Sequence, residues 1–403
     1  MHKILCLNKI SPTGTKRFGE NYTFSPEMKD PEGILVRSAS MHDMDFAPSL
    51  LAIARAGAGT NNVPVEECNK KGIVVFNTPG ANANAVKELV LCALLLTSRK
   101  IGPSMDWVKT LKGQGAEVGK LVEKGKGQFT GPEIQGKALG VVGLGAIGIL
   151  VANAAHSLGM EVYGYDPFLS VDAAWRLSRS VHRSLSLDEI YQNCDYITLH
   201  LPLTPETKNM VNPGILEKMK DGVRILNFAR GDLVDSAALL AALSSGKVAA
   251  YATDFPDDSL IGTENVVALP HLGASTPESE DNCAQMAVDQ MKEYLENGNI
   301  INSVNLPNLV LAREPGTLRL CVIHKNVPGA IATFTSVCGK EGINIENMQS
   351  KSRGEYAYTI LDVTSTAAGD VSRAAQSLDS LDAIIRVRVI CLNSERMSHH
   401  EPL

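Results

Sequence analysis

Six short apolar runs, Leu139 to Val142, Glu161 to Tyr165, Tyr196 to Leu199, Arg224 to Phe228, Ala249 to Asp254 and Val266 to Ala268, alternate with stretches of helical spacing. Those stretches include Ile147 to Leu158, Ser186 to Asn193 and Ser236 to Leu243. Strands buried on both faces read as continuous apolar runs, and their alternation with helices predicts a parallel, doubly wound α/β sheet with a crossover helix after each strand.

Ahead of this series, Ile4 to Leu7, Gly33 to Val36, Ser49 to Ala56 and Ile73 to Phe76 form a smaller α/β unit. Asn77-Thr78-Pro79-Gly80 ends it, and Val86, Leu89, Val90, Ala93, Leu94 and Leu96 then mark a buried helix over Ala83 to Arg99. Gly113 to Gly127, rich in Gly and Lys, reads as an exposed connection. A helix from Ser275 to about Asn297 stops at Gly298, and Asn299 to Gly316 reads as a linker. From Thr317 the order is strand 318–323, helix 330–340, strand 343–350, strand 356–363, helix 369–378 and strand 384–390, a ferredoxin-like βαββαβ arrangement. Ser394 to Leu403 has no apolar pattern and is expected to fray.

At about 150 residues per domain, 403 residues accommodate these two or three cores. A net charge of -6 offers no broad cationic surface to nucleic-acid phosphates. No apolar stretch approaches the length of a membrane span, and the apolar run in Met1 to Ile10 is too short for a signal peptide. The eight Cys are scattered without metal-ligand spacing. They read as buried thiols of a soluble, cytoplasmic protein without a structural metal.

Gly143-Leu144-Gly145-Ala146-Ile147-Gly148 follows one strand directly and opens a helix. In GxGxxG the first Gly makes a tight turn and the second admits a pyrophosphate. The third lets helix pack on strand, and the helix N-terminus faces the anion, so Ala146 and Ile147 lie beside it. Asp166 ends the next strand, where a carboxylate accepts hydrogen bonds from ribose hydroxyls and would repel a ribose phosphate, so NAD is favoured over NADP.

Hydride transfer to a nicotinamide from an alcohol needs a group that takes the alcohol proton and a cation that holds the substrate carboxylate. His271 follows the last strand, where an imidazole of ordinary pKa about 6.5 can trade that proton. Arg230 follows another strand, in Asn227-Phe228-Ala229-Arg230-Gly231, and its fork can hold a carboxylate bidentately.

These motifs in order, with Asp166, Asn227 to Asp235 and Pro270-His271-Leu272-Gly273-Ala274-Ser275, resemble those of the D-isomer-specific 2-hydroxyacid dehydrogenases. The resemblance implies a flavodoxin-like substrate-binding domain over 1–82 and 275–300, an NAD-binding Rossmann domain over 83–274, and homo-oligomers, dimeric or tetrameric. It further implies that Arg230 orients the substrate, that His271 is the acid/base and that a carboxylate supports the imidazolium. The family usually places a Glu there, whereas Thr253 to Ser259 carries only Asp, so the role falls to Asp258, with Asp257 next. Ala58, Leu201, Phe228, Ala229, Asp254, Gly273 and Ala274 would line the cofactor, Asp254 facing the nicotinamide amide. Leu35 to Ser38 and Ala54 to Val63 resemble the branch that oxidises 3-phosphoglycerate toward serine. Arg37 and Arg55 would meet the phosphate, helped by Lys124 or Lys126 from a partner copy, and the amides of Ala58 and Gly59 the carboxylate. The rivals are another 2-hydroxy acid, such as 2-hydroxyglutarate or glycerate, and an NAD-sensing binding protein.

The last unit (317–393), after a linker at 301–316, carries His324-Lys325-Asn326-Val327-Pro328-Gly329-Ala330 and Gly342-Ile343-Asn344-Ile345, and resembles the amino-acid-binding ACT domain. The resemblance implies side-by-side pairing and a serine effector held by His324, Asn326 and Asn344. The other reading is an ACT fold kept for assembly alone.

Overall fold

The computed structural model describes residues 1–364 and 368–391; the tail expected to fray, 394–403, lies outside them. The chain forms two compact units, one from Met1–Ala81 with the chain from Glu280 onward, the other from Asn82–Ser279.

In the first unit, β1 (His2–Cys6), β2 (Tyr22–Ser25), β3 (Gly33–Val36), β4 (Ala52–Arg55) and β5 (Val74–Phe76) run parallel in the order β2-β1-β3-β4-β5. This is the flavodoxin-like order. All four residues of β3 are buried, as in a strand covered on both faces. The short edge strand β2 was not expected: Tyr22-Thr23-Phe24-Ser25 alternates over only four residues.

The second unit holds a seven-stranded parallel sheet of β6 (Ala138–Val142), β7 (Glu161–Tyr165), β8 (His182–Arg183), β9 (Tyr196–Leu199), β10 (Val223–Asn227), β11 (Val248–Thr253) and β12 (Val266–Ala268). Their order is β12-β11-β10-β9-β6-β7-β8. The winding reverses between β6 and β9, and ligands of such sheets bind outside the carboxyl ends of the strands at that switch. Two expectations need correction. Between β11 and β12 the chain crosses as a helix-free loop, with Leu260 buried as its anchor. The segment 113–127 contains the helix Val118–Gly125, whose Val118, Leu121 and Val122 form a half-buried face at i, i+3, i+4 among Gly and Lys. The helix Ala83–Arg99 has the expected bounds, buries Val86, Val90, Ala93 and Leu94, and stops at Lys100 in the left-handed region (φ 48°).

Four antiparallel strands complete the first unit: β13 (Leu318–Lys325), β14 (Asn344–Arg353), β15 (Tyr356–Thr364) and β16 (Ile384–Ile390), ordered β14-β15-β13-β16. Side chains alternate across this sheet. Leu320, Val322, Leu361 and Val363 meet Phe334, Cys338, Val371 and Leu378 of the helices Ala330–Lys340 and Ala368–Asp379. On the opposite face, Cys321, Ile323, Tyr358, Ile360 and Ile390 share one core with Val288, Met291, Tyr294 and Leu295 of the helix Pro277–Asn297 and with β1, β3, β4 and β5.

The expected linker at 301–316 is therefore packed in place. Leu306 and Leu309 are buried, and the Asn305 side chain accepts from the Val75 amide (2.8 Å) and donates to the Asn69 Oδ1 and the Ile73 carbonyl (both 2.9 Å). Arg319, wholly buried, donates to both oxygens of the wholly buried Asp362 (2.6 and 2.7 Å) and to the carbonyls of Asn297, Leu311 and Ala312 (2.8, 3.0 and 3.0 Å). Arg386 donates to the carbonyls of Leu50 and Pro48, and Arg388 to those of Tyr294 and Leu295, with its guanidinium over the Tyr294 ring. All eight cysteines are free thiols; Cys92 and Cys391 are exposed, unlike the other six.

Candidate active site

The glycine turn, Asp166, Leu201, Arg230, Asp254 and His271 all follow the carboxyl ends of strands in the second unit's sheet. β6 runs into Gly143, whose φ of 95° favours glycine. A Cβ at Gly143 would stand 2.5 Å from the His200 carbonyl, and one at Gly148 would fall on the Gly143 carbonyl. At Gly145, by contrast, a Cβ would meet nothing within 4 Å. The helix Ala146–Ser157 starts there with no side-chain cap, and its first backbone bond to Gly145 comes from Ile149. The amides of Ala146, Ile147 and Gly148 are left as donors at the positive end of the helix dipole. Asp166, at the end of β7, accepts from the Leu144 amide through Oδ2 (2.9 Å) and from the Phe168 amide through Oδ1 (2.8 Å), which ties the glycine turn to the neighbouring strand.

Three adjacent strands lead into Arg230, Asp254 and His271, with Asn227, Thr253 and Ala268 side by side in the register. Arg230 stands three residues beyond β10. Asn227, fully buried, shapes that turn by accepting from the Ala229 amide (3.2 Å) and donating to the Arg230 carbonyl (2.8 Å). His271 stands three residues beyond β12 and is exposed. Between them, after β11, come Asp254 and Phe255, turned by the Phe255 amide donating to Thr253 Oγ1 (3.0 Å). The Phe255 ring lies 4.4 Å from the His271 ring and 5.9 Å from the Arg230 guanidinium carbon. Asp254 is only 2% exposed, and its Oδ2 takes a long contact from the Gly273 amide (3.4 Å). Its Oδ1 is buried without a partner. Burial pushes this carboxyl above the ordinary range, opposed by the charges of His271 and Arg230 and by the Gly273 amide.

The loop acids stand differently. Asp257 accepts from Ser236 Oγ (2.6 Å), Ser259 Oγ (2.6 Å) and the amides of Ser259 and Leu260, and these bonds, led by Ser236, hold its carboxyl below the usual range. Asp258 is exposed. Asp254 shares its surroundings with His271 and Arg230, and Asp257 is committed to its own turn. Leu201, Ala229 and Ala274 are half-buried; Phe228 and Gly273 are buried. Two residues of this site escaped the sequence reading: Phe255, and His200, whose Nε2 lies 3.0 Å from Thr198 Oγ1 and whose imidazole burial pushes down to about 4. The only trace of Phe255 was an aromatic residue after a strand-ending Asp.

The residues present fit a dinucleotide: a glycine turn with open space at Gly145, three unbonded helix amides, a strand-end Asp and a buried carboxylate oxygen lacking a donor.

In the first unit, Arg37 pairs with Glu280 (2.6 Å), and Arg55 donates to the Arg37 carbonyl through Nε (3.0 Å). Gly57 (φ 153°) leaves its side-chain space to the Arg55 guanidinium, and the Ala58 carbonyl accepts from Asn77 (2.6 Å), which fixes the loop before Gly59. In the second unit Lys126 pairs with Glu123.

His324 and Asn326 line one cavity of about 360 Å³ with Ser350, Lys351 and the start of the helix Ala330–Lys340. The His324 imidazole donates through Nδ1 to the Lys325 carbonyl (2.8 Å) and accepts at Nε2 from Thr359 (2.9 Å); burial lowers its pKa, in keeping with this neutral form. Asn344 does not join them within one chain. It opens β14, opposite Thr364, and donates to Glu346 (2.7 Å), whereas the cavity uses the far end of that strand.

Residues 91–273 match the model for the NAD binding domain of D-isomer specific 2-hydroxyacid dehydrogenases, and residues 318–383 match the ACT domain. The D-3-phosphoglycerate dehydrogenase of Haemophilus influenzae is 33% identical over 86% of this chain and 83% of its own. The human D-3-phosphoglycerate dehydrogenase is 36% identical over 77% of this chain, and the match spans only 58% of that enzyme's length. Among solved structures, NAD+-bound 3-phosphoglycerate dehydrogenase of Entamoeba histolytica superposes with a TM-score of 0.57 at 27% identity, covering 75% of this chain and 99% of that one. Among the described residues no helix is long and apolar enough to cross a membrane.

Proposed function

Because the chain belongs to the D-isomer specific 2-hydroxyacid dehydrogenases, we propose that it oxidises D-3-phosphoglycerate to 3-phosphohydroxypyruvate with NAD, the first step of serine biosynthesis, in the cytoplasm. The observation that carries this reading is the meeting of His271 and Arg230 over the one Phe255 ring, beside a turn built for a dinucleotide. Its domains are 1–82 with 275–300 for substrate, 83–274 for cofactor and 317–393 for regulation.

Bound NAD would supply the hydride acceptor. The amides of Ala146, Ile147 and Gly148 would cradle its pyrophosphate, Asp166 would accept from its ribose hydroxyls through its remaining lone pairs, and Asp254 Oδ1 would accept from its carboxamide. Arg230 holds the substrate carboxylate and the oxygen that becomes the carbonyl, and that positive charge favours the alkoxide character of the transition state. His271 takes the hydroxyl proton as the carbon–hydrogen bond breaks, and being exposed it can pass that proton to water. From the first unit, Arg37 and Arg55 would meet the phosphate, and the amides of Ala58 and Gly59 the carboxylate.

The Arg37–Glu280 pair favours a second reading, since a phosphate, like the distal carboxylate of 2-hydroxyglutarate, must displace Glu280 whereas the neutral end of glycerate need not. Steady-state rates with NAD on the three acids separate the two. The first reading expects kcat/KM at least tenfold higher for 3-phosphoglycerate, and fails if either other acid is preferred.

We further infer that the protein is a homo-oligomer, dimeric or tetrameric, and that serine binds beside His324 and Asn326, with Asn344 supplied by the paired ACT unit. Serine titration of activity tests this. Inhibition lost in Asn344→Ala supports it, and an indifferent wild type leaves assembly as the domain's role.

A further inference from the structure

The register of β10, β11 and β12 sets the residues after β11 between those that carry the guanidinium and the imidazole. We propose that Asp254, rather than the loop acids, is the counter-charge that holds the His271 imidazolium, and that Phe255 is the spacer fixing the imidazole and the guanidinium against each other. This inference rests on the dehydrogenase reading only for the consequence to rate; the positioning itself is a property of this unit.

Oδ2 of Asp254 holds the backbone two residues beyond His271 through the Gly273 amide, which leaves Oδ1 unpartnered. A Cβ on Gly273 would stand 3.4 Å from that Oδ2 and 3.3 Å from Val86, so this glycine lets loop, carboxylate and helix close together. Phe255 follows at once, and its ring lies 4.4 Å from the His271 ring and 5.9 Å from the Arg230 guanidinium carbon. The neighbourhood from each side is Arg230 beyond β10, Asp254 beyond β11 and apolar Val86 from the helix Ala83–Arg99. Tyr251 on β11 stands near enough to sense Asp254 and Asp257. Asp257 is spent on Ser236 and Ser259, and Asp258 faces solvent, where screening weakens its reach. Of the three carboxylates only Asp254 is buried, so its charge is the one least screened by water.

Proton transfer from substrate leaves His271 cationic, and Asp254 stabilises that form. Removing its charge should therefore favour the neutral imidazole. The test follows the His271 ring by NMR titration in the full chain without substrate, for the wild type and for Asp254→Asn, Asp257→Asn, Asp258→Asn and Phe255→Leu, with the other histidine resonances reporting the fold. The expected result is a His271 midpoint lower in Asp254→Asn than in the wild type, since an opposite charge nearby favours the protonated ring. The midpoint should stay in place in Asp257→Asn and Asp258→Asn. In the 3-phosphoglycerate assay the acid limb of kcat/KM should move down with it. Phe255→Leu should lower kcat with little change in the KM for NAD. A midpoint that stays put in Asp254→Asn, or moves with Asp258→Asn instead, overturns the proposal. If Asp254→Asn raises only the KM for NAD, its carboxylate serves the cofactor alone and the proposal fails. A wild type that turns over no 2-hydroxy acid would sink the dehydrogenase reading while the titration still decides this one.

Discussion

Replacing Arg319 by Met is the sharpest test of how the C-terminal sheet is held. The side chain is wholly buried, and it neutralises an equally buried Asp362 while serving three backbone carbonyls. Removing one partner of a buried pair costs about 3–5 kcal/mol, because the remaining charge has no compensation. Each carbonyl left dry adds about 1–3 kcal/mol, reduced by any water that enters. A loss on the order of 5 kcal/mol is a large part of the roughly 5–15 kcal/mol that holds a domain folded. With a urea slope of about 2 kcal/mol per molar, the midpoint should fall by about 2–3 M. The two tryptophans, Trp107 and Trp175, both lie in the second unit. Far-UV circular dichroism should therefore show the early transition while tryptophan fluorescence holds its own midpoint. Arg319→Met with Asp362→Leu removes the stranded charge and should recover about 3 kcal/mol. A single variant that loses less than about 1 kcal/mol, or a double variant no better than the single, would refute the reasoning.

Gly145→Ala should leave the thermal midpoint unchanged but weaken NAD binding at least tenfold by calorimetry, since the open space at that Cβ is where a pyrophosphate would approach. Gly148→Ala should destabilise the second unit by about 1–3 kcal/mol before any ligand is added, because its methyl would fall on the Gly143 carbonyl. Asp166→Ala should raise the KM for NAD and narrow the preference over NADP, read from the ratio of kcat/KM values, since it removes both a ribose acceptor and the tie to Leu144. His200, held neutral by burial with its pKa near 4, makes the unfolded chain the better proton binder between about 6.5 and 4. Its contribution is complete above pH 6.5 and is lost as pH falls toward 4. His200→Gln should flatten that part of the stability profile by about 2 kcal/mol, measured by denaturation at pH 7 and pH 4.5.

Much of the fold can be read where burial and pattern coincide. The helices Ala83–Arg99 and Ala330–Lys340 keep their expected bounds because their apolar stripes begin and end at turn chemistry, and six strands of the large sheet fall on apolar runs, whereas the edge strand β8, two exposed polar residues, was not expected. Reading failed where burial is polar. The 301–316 segment resembles a linker because Asn302, Ser303 and Asn305 carry no apolar period, yet Asn305 replaces a strand neighbour for Val75. At the candidate site, Arg230, His271 and the glycine turn were legible because their chemistry is tied to strand ends. Asp254 was legible as a strand-end acid of the same site, whereas its nearness to His271 was not, because that depends on which strands are neighbours, and adjacency is a property of the folded sheet.

The shared core beneath β13, β15 and β16 makes the C-terminal sheet and its helices a poor candidate for modular exchange. A chimaera that takes residues 317 onward from a relative would set a foreign surface against Met291 and Tyr294 and deprive the carbonyls of Pro48, Leu50, Tyr294 and Leu295 of the guanidinium groups of Arg386 and Arg388. Residues 1–81 and those from 280 onward are thus expected to travel through recombination as one inheritance, with the intervening 198 positions the part that can be swapped.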